Sequence, residues 1–218
     1  MTLYIIATPI GHPEDISLRS LNQLKKTNLI ICESTKESSR FLKKHQITGK
    51  QYELLNEHST QDDILEIIKL LKQQDACLVS DCGTPSFCDP GFQLITLCRN
   101  ANIKIQTQPG ASSLMGLLSL SSLKLEQFYF RGFLPANNEL RKKAWQDLKK
   151  IKQPIVLMDT PYRLEKMVKE LEQHFSKNNI LLNLNLTQEN ETVLEGKIHE
   201  IKKKIPFKKA EFMILIYT

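Results

Sequence analysis

The 218-residue chain is 41% hydrophobic and 25% charged, the composition of an ordinary globular protein of one large or two small domains. It contains no run of 18 apolar residues, which argues against a membrane-spanning helix. The net charge of +6 is uneven: residues 1–121 carry 12 Lys+Arg against 12 Asp+Glu, and residues 122–218 carry 18 against 12, so the whole basic excess lies in the second half, where it suits a polyanionic partner.

The N-terminal run Leu3-Tyr4-Ile5-Ile6-Ala7 has no basic flank and reads as a buried strand, not a secretion signal. Thr8-Pro9-Ile10-Gly11-His12-Pro13 breaks it, and a helix follows with Leu18, Leu21 and Leu24 on its inner face and Asp15 or Ser17 as its cap. Leu29-Ile30-Ile31-Cys32 is a second buried strand, Glu33-Ser34-Thr35 a turn, and the next helix carries Phe41 and Leu42. Tyr52 to Leu55 forms a short strand, and Asp62 to Gln73 an amphipathic helix with Ile64, Leu65, Ile67, Ile68 and Leu71 inward.

Ala76-Cys77-Leu78-Val79 is an apolar strand that stops at Ser80-Asp81 and runs into a loop of small, rigid residues, Ser80 to Gly91, before a helix to about Asn100. Such a strand exit is where an α/β protein places a ligand, because the crevice lies beyond the carboxyl ends of the strands. Asp81 is a candidate contact to ligand hydroxyl or amine groups, and Asp89 before Pro90 a brace of the turn. Ile103 to Gln106 is another strand, ended by Pro109-Gly110, and a helix of small and apolar residues spans Ala111 to Leu120. Gly110-Ala111-Ser112-Ser113 at its start could present backbone N–H groups to a carboxylate, or could simply be capped by Ser.

SLSSLK, at Ser119 to Lys124, reads as a linker, dividing the chain into domains 1–121 and 122–218. In the second half Phe128-Tyr129-Phe130 is a strand, and Asn138 to Lys150 a basic helix burying Leu140, Ala144, Trp145 and Leu148. Ile155 to Met158 is a strand stopped by Asp159-Thr160-Pro161, and Leu164 to Phe175 a helix. Ile180 to Leu186 alternates apolar residues with Asn and reads as half-exposed. Two more strands, Thr192 to Gly196 and Phe212 to Tyr217, flank a helix at Ile198 to Lys203. Alternating strands and helices predict an α/β fold, with a parallel sheet in the first domain and a mixed sheet in the second.

Three loops of the first half leave a strand at Gly or Pro: Thr8 to Pro13, Ser80 to Gly91 and Gln108 to Ser113. In a parallel sheet they share one edge and together line one pocket. Neither G-x-G-x-x-G nor G-x-x-x-x-G-K-[ST] occurs, which argues against a standard dinucleotide or nucleoside-triphosphate fold. The five cysteines form no C-x-x-C pair and read as reduced core or loop thiols, with no metal site.

ATPIGHPEDIS at 7–17, SDCGTPSFCDPG at 80–91, PGASS at 109–113 and RGFLP at 131–135, in this order, resemble the family of ribosomal small-subunit RNA cytidine 2'-O-methyltransferases within the tetrapyrrole methylase, or class III, superfamily. The resemblance implies a two-domain enzyme that folds S-adenosyl-L-methionine into the cleft between domains, is usually a homodimer, and acts on RNA of the small ribosomal subunit in the cytoplasm. By correspondence, Pro9, Asp81, Gly83, Thr84, Ser112, Ser113, Met158 and Ala210 are the cofactor positions. Glu33 and Asp15 are the candidates for the base that a poorly nucleophilic ribose hydroxyl requires. Arg141, Lys142, Lys143, Lys149, Lys150 and Lys202 to Lys204 would form the RNA-facing basic surface. Two other readings stand beside this one: a small-molecule methylase of the tetrapyrrole kind, and a non-catalytic RNA-binding relative.

Overall fold

In the computed structural model, which describes residues 1–87 and 91–218, the first unit is built on strand β1 (Thr2–Ile6). There follow α1 (Leu18–Lys26), β2 (Leu29–Cys32), α2 (Thr35–Lys44), β3 (Gln51–Leu54), α3 (Gln61–Leu71), β4 (Ala76–Val79), α4 (Phe92–Asn100) and β5 (Lys104–Gln108). The five strands form one all-parallel sheet in the order β3-β2-β4-β1-β5. Every residue of β2 and β4 is buried. Their side chains alternate between the two faces, as the period of two requires. Leu29, Ile31, Ala76 and Leu78 pack under α3 and α4, whereas Ile30, Cys32, Cys77 and Val79 pack under α1 and α2. Two helix-covered faces explain the unbroken apolar runs of the sequence.

Of the two expected caps of α1, Ser17 does the capping, accepting from the Ser20 N–H, and Ser34 and Thr60 likewise cap α2 and α3. Two residues expected inside are outside: Leu18 is 80% exposed and Leu65 40%. Leu18 stands about 120° round the helix from Leu24, and Leu65 at the margin of the Ile64-Ile68-Leu71 stripe. Cys88, Asp89 and Pro90, with the expected brace at Asp89, lie outside the described residues.

By its contacts the chain divides into Met1–Ser112 and Ser113–Thr218. The second unit contains α5 (Ser113–Ser119), β6 (Tyr129–Phe133), α6 (Asn138–Leu148), β7 (Ile155–Asp159), α7 (Leu164–His174), β8 (Asn179–Leu184), β9 (Thr192–Lys197), α8 (Ile198–Ile201) and β10 (Phe212–Tyr217). Its sheet has the order β6-β7-β10-β8-β9, parallel only between β6 and β7, so the mixed sheet is as expected. Trp145, Leu148, Met167 and Leu171 of α6 and α7 cover one face; Leu117 of α5 packs with Val156, Leu181 and Met213 on the other.

That second cover corrects the reading of β8 as half-exposed: all its residues except Asn179 are buried. The Asn residues of this region instead make specific bonds. The Asn183 side-chain amide donates to Glu191 at 2.8 Å, and Asn185, in the left-handed region at φ 52°, exchanges bonds with Glu211 through its backbone and side chain. In α6, Leu140 is 58% exposed and Arg141 2%, the reverse of the expected sides.

Candidate active site

The loops leaving β1, β4 and β5 abut at the carboxyl edge of the parallel sheet. The Thr8 N–H donates to the Gly83 carbonyl at 2.8 Å, forming an isolated bridge beyond the last paired residues of β1 and β4. The buried Thr8 hydroxyl donates to the Ser80 carbonyl at 3.0 Å, and the Ser80 hydroxyl donates to the Gly83 carbonyl at 3.1 Å. On the other side the Ala7 N–H donates to Gln108 at 3.3 Å, and the Thr84 hydroxyl to Ala111 at 3.2 Å. The loops after β4 and β5 are therefore fastened to the loop after β1 and to each other.

Their small residues are required by this closeness. Gly83 holds φ +83°, where a side chain is strained, and a Cβ there would stand 3.3 Å from the Ile10 side chain. A Cβ on Gly110 would come within 3.0 Å of the Ala7 Cβ and 3.4 Å of its carbonyl oxygen. Pro9, Gly83, Thr84 and Ser112 accordingly stand on three abutting loops, with Pro9 and Ser112 half-buried and Thr84 exposed. Ser113 begins α5.

Asp81 faces the exit of β2, the strand beside β4. Partial burial pushes its pKa up, the nearby Glu37 carboxylate adds to this, and a hydrogen bond from the Ser34 N–H opposes both. Glu33, half-buried, precedes Ser34 at the same strand exit, and its carbonyl accepts from Asn56 at 3.5 Å. The Cys32 thiol beside it is pushed up by burial, with the Ser38 hydrogen bond acting against this. Asp15 lies elsewhere, at the surface, in a turn closed by its N–H donating to His12 at 3.0 Å. Among the described residues no group of three or more His, Cys, Asp or Glu is placed to hold a metal ion.

In the second unit, Met158 pairs with Met213 of β10 and packs, half-buried, on the α5 side of the sheet. Ala210 is buried in the core cluster on the opposite side. The exit of β7, just past Met158, is held by a charged network that sequence reasoning missed. The Asp159 side chain is fully buried and accepts from Arg141 Nη1 at 2.9 Å, Arg163 Nη1 at 3.2 Å and the Thr160 N–H at 2.8 Å. Arg141 also donates from Nε and Nη2 to Glu170, at 2.9 and 2.7 Å, and from Nη1 to the Pro135 carbonyl at 3.4 Å. Burial works against the Arg141 charge, but the bonds and charges of Glu170 and Asp159 outweigh it and raise its pKa. Arg141 therefore leaves the expected basic surface. The signal was present: Arg141, Trp145 and Leu148 fall at i, i+4 and i+7, one helical face. At the same sheet edge Lys209 Nζ stands 3.6 Å over the ring of Tyr162, which is 78% exposed.

Residues 2–202 match the family of Tetrapyrrole (Corrin/Porphyrin) Methylases. The chain is 38% identical over 217 residues to the Ribosomal RNA small subunit methyltransferase I of Rickettsia prowazekii, an alignment covering 98% of this chain and 77% of that protein. To the protein of the same name from Leptospira biflexa it is 34% identical over 216 residues, covering 98% and 90%. Among solved structures, the uroporphyrin-III C-methyl transferase of Thermus thermophilus complexed with S-adenosyl homocysteine shares the fold. Its TM-score is 0.66 at 13% identity, covering 99% of this chain and 97% of that one.

Proposed function

The chain belongs to the tetrapyrrole methylase family and groups there with the small-subunit ribosomal RNA methyltransferases I, and from that membership we propose that it transfers a methyl group from S-adenosyl-L-methionine to the ribose 2'-hydroxyl of a cytidine in small-subunit ribosomal RNA. The observation that carries the cofactor reading is the close-packed cradle in which Gly83 stands against Ile10 and Gly110 against Ala7, with the Thr8 N–H bonded to the Gly83 carbonyl, so that peptide groups and small hydroxyls lie along the sheet edge. Such an edge fits a cofactor held by its polar groups at the carboxyl ends of parallel strands.

When bound, the sulfonium of S-adenosylmethionine supplies an electrophilic methyl group. The protein's tasks are then alignment and removal of one proton. Backbone groups at Pro9, Gly83 and Ser112 and the Thr84 hydroxyl orient the donor, and the Asp81 carboxylate accepts from its hydroxyl or amine groups. Ser113, Met158 and Ala210 are further proposed contacts by their correspondence to the family. Glu33 is the better-placed base, sharing a strand exit with the residues that Asp81 faces; Asp15 is at the surface. With the donor bound, this carboxylate would accept the proton that the ribose hydroxyl loses as its oxygen takes the methyl group, the sulfur–methyl bond breaking as the oxygen–methyl bond forms. We also propose a homodimer.

The test is transfer of label from radioactive S-adenosylmethionine to unmodified small-subunit ribosomal RNA, with the product mapped by mass spectrometry. The expected product is one 2'-O-methylcytidine, and Glu33→Gln should abolish its formation while cofactor binding stays within about twofold. Label on a porphyrinoid and none on RNA would favour the small-molecule reading; cofactor binding with no acceptor would favour the non-catalytic one.

A further inference from the structure

The second unit has an open groove of about 320 Å³ along α6 and the edge strand β6, a volume within the roughly 300–1,000 Å³ of ligand clefts. We propose that this groove binds a single-stranded stretch of RNA, one base stacking on Tyr129 and the adjoining phosphates meeting Arg131 and Lys143. The inference rests on the reading of the chain as an RNA methyltransferase and assigns that activity an acceptor-binding surface.

Several observations converge on this chemistry. Tyr129 is 40% exposed at the groove wall, and the walls and floor also include Leu140, itself 58% exposed, and Ile151. An aromatic face flanked by cations is what unpaired nucleotides bind, since every base has a π-face and every linkage a negative charge. The one acid of the lining, Asp147, is engaged by Lys150 at 2.8 Å, which pulls its pKa down and leaves the rim positive. The lining holds two cations, Arg131 and Lys143, against that one acid, and residues 131–152, leaving out the buried and paired Arg141, hold six Lys or Arg against two Asp or Glu, a net +4 on the segment that borders the groove. That excess selects a nucleic acid over an apolar or basic peptide.

The groove also leads somewhere. Pro135 is part of its lining and follows the carboxyl end of β6, which runs parallel to β7. Arg141 joins the two exits, donating to the Pro135 carbonyl at 3.4 Å and to Asp159 at 2.9 Å. A strand of RNA in the groove is thus guided to the edge where β7 ends, by a support that the buried ion pairs keep rigid.

The experiment uses the full chain and a fluorescein-labelled 12-nucleotide oligouridylate, with a 12-base-pair RNA duplex in parallel, read by anisotropy. Tyr129→Leu should weaken single-strand binding on the order of tenfold, Tyr129→Phe should retain it, and Lys143→Gln should lower the slope of log affinity against log salt by about 0.7. With small-subunit ribosomal RNA as substrate, KM should rise by a similar factor in Tyr129→Leu while kcat stays within about twofold. Unchanged melting temperatures of the variants exclude misfolding. If wild type methylates the ribosomal RNA and Tyr129→Leu and Lys143→Gln bind and turn over as it does, the groove assignment is overturned and the proposed activity stands. If wild type neither binds nor methylates RNA, both fall. Equal binding of the duplex, insensitive to Tyr129, would also overturn the groove.

Discussion

Replacing Arg141 by Ala should destabilise the second unit more than any other single change to a charged residue on α6. The side chain is 2% exposed and makes ion pairs with Asp159, whose side chain is wholly buried, and with Glu170, 16% exposed. Its removal leaves the Asp159 carboxylate with Thr160 and the more exposed Arg163, and leaves Glu170 without its bidentate partner. Breaking a buried pair from one side costs about 3–5 kcal/mol, because an uncompensated charge stays in the interior. In a chain of this size 1 kcal/mol corresponds to about 2–4 °C, so the melting temperature should fall by about 6–20 °C. Arg141→Lys should recover little, since an ammonium cannot reproduce the planar fork that serves two carboxylates. The exposed neighbour Lys142→Ala is the control, expected within about 0.5 kcal/mol of wild type. Scanning fluorimetry and urea unfolding provide the assay. A loss below about 1 kcal/mol for Arg141→Ala, with Asp159 still buried in a crystal structure of the variant, would refute the account.

Gly83→Ala should cost about 1–2 kcal/mol through its positive φ alone, and Gly110→Ala should push the loop after β5 off Ala7; both should weaken S-adenosylmethionine binding more than tenfold by calorimetry. Asp81→Asn should leave the melting temperature of the cofactor-free protein unchanged or raise it slightly, because burial and Glu37 both disfavour the charge, while cofactor affinity falls; a clear loss of stability would count against this. His174, stacked on Trp145 with ring centroids 5.1 Å apart, has its pKa lowered by burial first and then by Lys149, against the opposing charge of Glu170. The unfolded chain then binds the proton more readily, so stability is full above about pH 6.5 and declines as pH falls from there through the depressed folded value. His174→Phe should flatten that slope in urea titrations at pH 7.5, 6.5 and 5.5.

Much of this protein was legible from local pattern. The runs Leu29 to Cys32 and Ala76 to Val79, the stripe of α3 and the Gly and Pro at three strand exits announce an α/β fold with its site at one sheet edge, because burial and turn geometry act on neighbours in sequence. The order of motifs was enough to show the family, and the residues of the cradle at Thr8, Gly83 and Gly110 all lie inside or beside those motifs.

What the tertiary structure alone decided concerns partners distant in the chain. Nothing local in Ile180 to Leu184 says that α5 covers its second face, so alternation with Asn was misleading. Arg141 reads as one more cation in a basic helix until Asp159 and Glu170, 18 and 29 residues away, turn it inward. Asp81 looks like a lone loop carboxylate until β2 is brought beside β4, where burial and then Glu37 push its pKa up against the Ser34 hydrogen bond. A sequence determines by itself which stretches must be buried and where the chain can turn. The partner of a buried charge and the second cover of a sheet depend on contacts that exist only once the chain has closed on itself.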